Sequence, residues 1–270
     1  MPAQDSVREL VRHLRQFRGD EPSAEKPFFW LGAGCSVHDG VPLNAELLDA
    51  VLGDDVDTWG SRQYRFDLLC DRLGPGAARA GLFRRHLERP LTPDSPYRRL
   101  VGLLAQGYAD MVVTVNIDDL LERALVAAGL REHHDYRLID VPQYRPEAAV
   151  LRITAPGGPR IRIIKLHGGL DLGLNLMTSR EIIQYEEGIE QLVRDVSSRP
   201  AVVCGYSFFH LNVLQAFSRN RSPLYYANIT FPEAPMVLSL MAQRNHTPRF
   251  IDGTLGNFTG LMRTVTEQLT

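Results

Sequence analysis

Four short apolar runs, each followed at once by glycine or by polar residues, recur along this 270-residue chain. They cover residues 27–31, 110–115, 161–166 and 201–204, and segments with helical periodicity lie between them. A short apolar run without alternation is typical of a strand that is buried on both faces, as strands of a parallel sheet are. Strands that alternate with helices therefore predict an α/β fold: a doubly wound, Rossmann-like parallel sheet with helices on both faces. We also expect a last central strand at Met236–Leu240.

The spacing of apolar residues predicts where the helices between these strands lie. An amphipathic helix opens the chain, with Val7, Leu10, Val11, Leu14 and Phe17 on one face. Further helices are predicted over 45–52, 97–106 and 118–128, the last of them ending at Gly129.

Two regions interrupt the alternation of strands and helices. Residues from about 51 to 96 are punctuated by glycine and proline and predict a small helical cap inserted over the sheet. Residues 136–163 predict a hairpin insertion, with its turn at Gly157-Gly158. We therefore expect a single domain over 1–270 that carries both insertions.

Composition and charge exclude several classes of partner. The net charge is −2, so the chain has no basic excess to hold a phosphate backbone, and we expect no direct nucleic-acid partner. The three cysteines, Cys35, Cys70 and Cys204, never form a C-x-x-C pair, which argues against a disulfide framework and a cysteine zinc site. No secretory signal and no apolar stretch long enough to span a bilayer is visible, so a cytoplasmic protein without a membrane partner is expected.

Two of the predicted strands end in residues that can hold a nucleotide. The run 32–36, Gly-Ala-Gly-Cys-Ser, lets backbone N–H groups approach a diphosphate, although Val37 stands where the dinucleotide fingerprint has its third glycine. A plain tight turn is the alternative for this run. The run 114–118, Thr-Val-Asn-Ile-Asp, can position a ribose, a carboxamide or a water through Asn116 and Asp118. Capping of the next helix is the alternative role of these two residues.

The other two strand ends carry a histidine and a hydroxyl group. Most histidines are structural, but His167 directly follows an apolar strand and precedes Gly168 and Gly169, which leave room for a ligand. The near-neutral pKa of imidazole suits a general base. The run 205–207, Gly-Tyr-Ser, offers a glycine and a hydroxyl to the second half of a nucleotide. In open parallel sheets ligands bind at the carboxyl ends of strands, so the four runs predict one site.

Taken together, these runs resemble the sirtuin superfamily. Residues 32–36 with Gly40-Val41-Pro42 resemble its first NAD-binding motif, 114–118 its second, and His167-Gly168 its catalytic histidine motif, while 205–207 takes the place of its Gly-Thr-Ser. The resemblance implies catalytic roles for His167, Asn116 and Asp118. It implies NAD contacts from Gly32, Ala33, Gly34, Ser36, Thr114, Asn116, Asp118, Gly205 and Ser207.

The chain departs from the protein deacylases of that superfamily. It carries only Cys204 after the histidine, where deacylases carry a four-cysteine zinc module, so no zinc or other metal site is expected. Residues 43–45 read Leu-Asn-Ala instead of Asp-Phe-Arg, and Val115 replaces the usual glutamine. His210 stands where the bacterial sirtuin-like branch usually has an aspartate.

The resemblance is strongest to that bacterial branch, whose members often act as NAD hydrolases in antiphage defence by abortive infection. It implies hydrolysis of NAD, the substrate, to nicotinamide and ADP-ribose. A protein deacylase and a non-catalytic module that binds NAD or ADP-ribose are the alternatives. Gating by homo-oligomerisation or by a separate partner, such as an ATPase or a short Argonaute, is implied as well, because an uncontrolled NAD hydrolase would kill its host.

Overall fold

The structure of the chain is a computed structural model. It describes residues 2–21, 23–53, 59–74, 76–144, 148, 157–171, 176–208, 211–218, 221–230, 235–244 and 249–270.

The described residues form a seven-stranded sheet in which every recorded pairing is parallel. Its order is β3-β4-β2-β1-β5-β6-β7, so β2, β3 and β4 lie on one side of β1 and β5, β6 and β7 on the other, and the sheet is doubly wound. The strands are β1 (Phe28–Leu31), β2 (Met111–Thr114), β3 (Tyr136–Asp140), β4 (Ile161–Lys165), β5 (Ala201–Cys204), β6 (Leu224–Ala227) and β7 (Arg249–Ile251).

Helices cover both faces of this sheet. They are α1 (Ala3–Gln16), α2 (Asn44–Leu52), α3 (Trp59–Leu73), α4 (Ala77–Leu87), α5 (Pro96–Ala105), α6 (Leu120–Ala127), α7 (Ser179–Val196), α8 (Leu211–Ser218), α9 (Pro235–Arg244), α10 (Gly253–Gly256) and α11 (Phe258–Leu269). Among the described helices, none is both long enough and apolar enough to cross a membrane.

Alternation along each strand produces two separate cores. Phe29 and Leu31 of β1 join the core that contains α1, α5, α6 and α11, whereas Phe28 and Trp30 join the core under α7, α8 and α9. All four side chains are at most 1% exposed, as expected for a strand covered on both faces. The ring of Trp30 meets Phe217 of α8 edge to face, with centroids 5.0 Å apart.

All seven strands end in the same row of the sheet. Leu31 at the end of β1 pairs with Thr114 on one side and with Cys204 on the other. Thr114 in turn pairs with Lys165, and Lys165 with Asp140. Each loop that leaves a strand therefore begins at the same level, and the order of strands reverses at β1 between β2 and β5.

The sheet and the helical insertion agree with the sequence-based predictions. The doubly wound parallel sheet is confirmed, and its four predicted strands are β1, β2, β4 and β5. The interval 51–96 contains α3 and α4, and their side chains Phe66 and Phe83 pack into the same core as Leu31.

One prediction in the second half of the chain is wrong, and another is tested only in part. The predicted strand Met236–Leu240 lies in helix α9. A short apolar run does not distinguish a strand from a buried helix, and the buried Val237 and Leu240 are three residues apart, as on one face of a helix. At the described ends of the predicted hairpin over 136–163, β3 and β4 pair in parallel, so these two strands are not the antiparallel arms of a hairpin. A first arm just before Gly157 lies outside the described residues.

Candidate functional site

The four predicted motifs leave the sheet side by side. Asn116 and His167 each stand two residues beyond the register pair Thr114–Lys165. The loops they belong to stay in contact, since the N–H of Leu170 donates to the carbonyl of Ile117 at 3.0 Å. Asn116 and His167 are 9% and 8% exposed, so both side chains are buried close to the surface of this edge.

The glycines after β1 are required by the packing of two loops. A Cβ on Gly32 would stand 2.5 Å from the carbonyl oxygen of Gly205, and a Cβ on Gly34 would stand 2.9 Å from its Cα. Gly205 itself has a φ of +58°, and a Cβ there would meet the backbone nitrogen of Cys35 at 2.6 Å. The Gly-x-Gly pattern thus lets the loop after β1 lie directly on the loop after β5.

Several backbone donors of the run 32–36 are used inside the protein. They are those of Gly32 to Cys204 at 3.0 Å, Gly34 to Gly205 at 3.0 Å, Cys35 to Gly32 at 2.9 Å and Ser36 to Ala33 at 3.1 Å. The diphosphate cradle at 32–34 stays a prediction, and a ligand there would have to find its donors beyond these four groups.

A buried hydroxyl network joins the loops after β1 and β2. Ser36, which is fully buried, donates to a carboxylate oxygen of Asp118 at 2.8 Å. Its oxygen accepts from the amide of Asn116 at 3.2 Å and lies 2.8 Å from the hydroxyl of Tyr97. The second bond of the Asn116 amide goes to the carbonyl of Gly32 at 3.0 Å. The hydroxyl of Ser36 therefore holds Asn116 and Asp118 in position, whereas the resemblance implies that Ser36 contacts NAD.

The carboxyl group of Asp118 has an unusual electrostatic environment. Burial raises the pKa of Asp118 to about 6, while the ammonium group of Lys165 and the hydrogen bond from Ser36 lower it. The negative charge of the nearby Glu122 carboxylate also raises the pKa of Asp118. A carboxyl group with a pKa near neutrality at a strand end is a frequent property of functional sites.

The remaining predicted residues differ in how they are placed. Thr114 is buried, and its hydroxyl donates to the carbonyl of Leu31 at 3.3 Å and accepts from the N–H of Asn116 at 3.0 Å. Ala33 and Gly205 are half-buried, whereas Ser207 is exposed. Thr114 thus shapes the loop after β2, and Ser207 is the predicted residue most open to a ligand. His210 lies outside the described residues.

The sequence missed two side chains of the site. Tyr97 of α5 is buried, burial raises its pKa, and its phenol therefore remains protonated and can donate to Ser36. Nothing in the sequence around Tyr97 distinguishes it from a core aromatic. Lys165 was visible in principle, because a lysine inside the apolar run Ile161–Leu166 needs a polar partner.

The buried thiol of the site does not act as a nucleophile, and the described residues include no group of side chains suited to a metal ion. The thiol of Cys35 donates to the carbonyl of Cys204 at 3.2 Å, and burial raises its pKa, so that it is not a nucleophilic thiolate. Within the described part of the chain, no three His, Cys, Asp or Glu side chains are grouped so that they could hold a metal ion.

Comparison with known protein families gives one match. Residues 110–234, somewhat under half of the chain, match the SIR2-like domain family. That segment contains Asn116, Asp118, His167 and the run 205–207, and the match supports the sirtuin superfamily. No curated protein sequence matches the chain.

A solved structure shares the fold over nearly the whole length of the chain. A structure described as the structural basis for sirtuin substrate affinity is 14% identical, with a TM-score of 0.50, over 98% of this chain and 99% of that one. A Sir2 complex with the inhibitor EX-527, 2′-O-acetyl-ADP-ribose and a deacetylated p53 peptide is 15% identical, with a TM-score of 0.49, over 97% of this chain and 100% of that one.

Proposed function

We propose that this protein hydrolyses NAD at the bond between nicotinamide and ribose, releasing nicotinamide and ADP-ribose. The observation that carries the proposal is the register of the sheet, in which Asn116 and His167 stand at one level beyond adjacent strands, beside Asp118. In the cleavage of a glycosidic bond by water, a carboxylate can stabilise positive charge, an amide can position a hydroxyl or the water, and an imidazole can accept a proton.

Each of the three side chains has a role in this proposal. The bond breaks through an oxocarbenium-like state, so positive charge develops on the ribose and the carboxylate form of Asp118 stabilises it. Asn116 has committed its amide hydrogens to Gly32 and Ser36, and its carbonyl oxygen can accept a hydrogen bond from a ribose hydroxyl or from the attacking water. His167 accepts the proton of that water.

The reaction balances without a further reactant. The C1′–N bond breaks, and its electron pair neutralises the positive charge of the nicotinamide ring, which leaves as neutral nicotinamide. A water oxygen bonds to C1′ and loses one proton to His167, which passes it to solvent. General-base assistance of this kind contributes about two to four orders of magnitude in rate.

The biological setting is the second part of the proposal. The resemblance to bacterial sirtuin-like NAD hydrolases favours a role in antiphage defence through depletion of NAD. Because unrestrained hydrolysis of NAD would be toxic to the host, we infer that activity depends on assembly, either of several copies of this chain or with a separate partner such as an ATPase or a short Argonaute.

Chromatography of the products tests the reaction directly. The purified protein is incubated with NAD, with and without an acetylated peptide, beside a His167→Ala variant. The matched control is His134→Ala, because this exposed histidine precedes β3 at the opposite end of the sheet. Nicotinamide and free ADP-ribose without peptide, lost in His167→Ala and kept in His134→Ala, would support the proposal.

Two other outcomes would overturn it. Release of nicotinamide only when the peptide is present would identify a deacylase. Binding of NAD in calorimetry with no release of nicotinamide, also after addition of host-cell lysate to supply a partner, would identify a binding module.

A further inference from the structure

A buried ammonium group connects the strand of His167 to the loop of Asp118. Lys165 is the last residue of β4 and is 1% exposed. Its Nζ atom donates to the main-chain carbonyl of Asp118 at 2.6 Å and to Oε1 of Glu122 at 2.6 Å. Both partners belong to the segment that leads from β2 into α6, whereas the chain after Lys165 reaches His167 within two residues.

Packing alone does not account for a lysine at this position. The preceding residue on the same face of β4 is the fully buried Ile163, and an apolar side chain could continue that core. Removing an ammonium group from water costs several kcal/mol unless ion pairs and hydrogen bonds offset the loss. The bonds of Lys165 to Asp118 and Glu122 offset this cost. The charge and the length of the lysine side chain therefore hold the loop of Asp118 in position.

We propose that Lys165 is a positioning residue of the candidate site, fixing the loop of Asn116 and Asp118 against the strand that delivers His167. The proposal rests on the proposed function, because it assigns Lys165 a role in the same reaction. Lys165 need not touch the substrate: it acts through the main chain of Asp118 and through the charge it places behind that carboxyl group.

The charge of Lys165 acts on several carboxyl groups at once. It lowers the pKa of Asp118 and of Asp140, against the effect of burial on both, while Glu122 raises that of Asp118. One ammonium group thus lies among three carboxyl groups from β2–α6 and β3. The described groups that act on the Asp118 side chain include Cys35, Ser36, Tyr97, Glu122, Lys165 and the backbone N–H of Leu120, which donates to Oδ1 at 3.2 Å.

Two variants with opposite expected effects test the proposal. Lys165→Met keeps the length of the side chain and removes its charge, so the pKa of Asp118 should rise by roughly one unit. Glu122→Gln removes the charge that opposes ionisation, so the same pKa should fall. The pKa is measured by carbon-13 titration of the carboxyl groups in the full chain, with Asp118→Asn to assign the signal.

Steady-state cleavage of NAD is the second readout. A misplaced loop should reduce kcat/KM of Lys165→Met by about 100-fold, and the acidic limb of its pH profile should move upward with the pKa of Asp118. The acidic limb of the pH profile of Glu122→Gln should move to lower pH. A fall in kcat/KM with no movement of the pKa or of the limb would mean that Lys165 only stabilises the fold, and would overturn the proposal.

The remaining outcomes separate this proposal from the proposed function. If the wild-type protein does not cleave NAD, the proposed function is wrong. The role of Lys165 is then tested by calorimetry, which compares the affinity for ADP-ribose of Lys165→Met with that of the wild-type protein. A loss of tenfold or more in Lys165→Met supports positioning of the site, and an unchanged affinity refutes it. If Lys165→Met does not fold, as judged by circular dichroism, the downward shift in Glu122→Gln is the test, and its absence overturns the proposal.

Discussion

The hydroxyl of Ser36 donates to the carboxylate of Asp118 across 2.8 Å, although 82 positions of sequence separate the two residues. The bond joins the loops after β1 and β2, next to the point where the order of strands reverses. Both residues are buried, and Asn116 and Tyr97 are bound to the same hydroxyl. The position of Asp118 in the candidate site therefore depends on a residue that is itself closed to solvent.

We expect Ser36→Ala to destabilise the protein and to raise the pKa of Asp118. The variant removes one hydrogen-bond partner from a buried carboxyl group and from a buried phenol, which costs about 1–3 kcal/mol of unfolding free energy. The pKa rises because the lost hydrogen bond favours the carboxylate form. Urea denaturation and carboxyl titration measure the two effects. The exposed Ser207→Ala should change stability by less than about 0.5 kcal/mol, and equal losses in the two variants would contradict the network.

The sequence predicted the centre of the sheet better than its margins. The runs of β1, β2, β4 and β5 are apolar and end at glycine or polar residues, so composition and punctuation together identify them. The strand β6, Leu224–Ala227, is equally buried but carries two tyrosines, so it lacks the run of aliphatic residues that would predict a strand. The alternation of β3 is weak, with Arg137 and Leu138 half-buried at an edge of the sheet, where strands are less apolar.

The candidate site was predictable as a set of motifs, but its internal bonds were not. The positions of Asn116, Asp118 and His167 after predicted strands indicate that they share one edge of the sheet, because the carboxyl ends of parallel strands lie at the same edge. The sequence did not indicate that Ser36 faces Asp118 instead of solvent, or that Tyr97 reaches it from α5. Such contacts depend on how helices pack against the sheet, which periodicity does not specify.

We expect Gly32→Ala to be strongly destabilising. The new Cβ would stand 2.5 Å from the carbonyl oxygen of Gly205 and 2.7 Å from the Cα of Tyr206, and neither backbone can move without disturbing β5. Overpacking of this kind costs about 1–3 kcal/mol, and more where backbone is displaced. The midpoint of thermal unfolding should fall accordingly.

Gly81→Ala is the matched control for that substitution. Gly81 lies within α4, and a Cβ there meets no atom within 4 Å, so the variant should gain about 0.5–1 kcal/mol from helix propensity. If both alanine variants unfold at the temperature of the wild-type protein, the close approach of the loops after β1 and β5 is not real.

We expect the ion pairs of α4 to differ sharply in their contribution to stability. Arg79 is fully buried and donates to Glu181 at 2.6 Å and to the carbonyl of Cys70 at 2.7 Å. Glu181 also closes the capping box at the start of α7, so the pair ties the helical insertion to the segment after His167. Arg79→Met should cost about 3–5 kcal/mol, the usual loss when a buried pair is broken.

Arg84 provides the comparison on the same helix. It pairs with Asp171 at 2.6 Å, but both side chains are at least 40% exposed, so water screens their attraction. Arg84→Met should therefore leave the free energy of unfolding nearly unchanged. Urea denaturation of both variants measures the difference, and similar losses would show that burial of Arg79 does not decide the strength of its pair.

We expect Asp140→Asn to change how stability depends on pH. Burial raises the pKa of Asp140 from 3.8 to about 6, although Lys165 lowers it in part. Between these two values the folded protein binds more protons than the unfolded chain, so this group stabilises the fold below pH 3.8 and loses that effect as the pH rises to 6. Asparagine is neutral throughout, and the variant should be more stable than the wild-type protein at pH 7, on the order of 1–3 kcal/mol.

Thermal unfolding between pH 4 and pH 7 measures that dependence. The wild-type protein should lose stability across this window through Asp140 and Asp118, whose pKa is also raised to about 6, and Asp140→Asn should lose less. Asp94 provides the contrast, because the hydrogen bond with His38 lowers its pKa from 3.8, so its stabilising effect is lost only as the pH falls below that value, outside this window. A pH dependence of Asp140→Asn that coincides with that of the wild-type protein would mean that the Asp140 carboxyl group is ionised and hydrated in the fold.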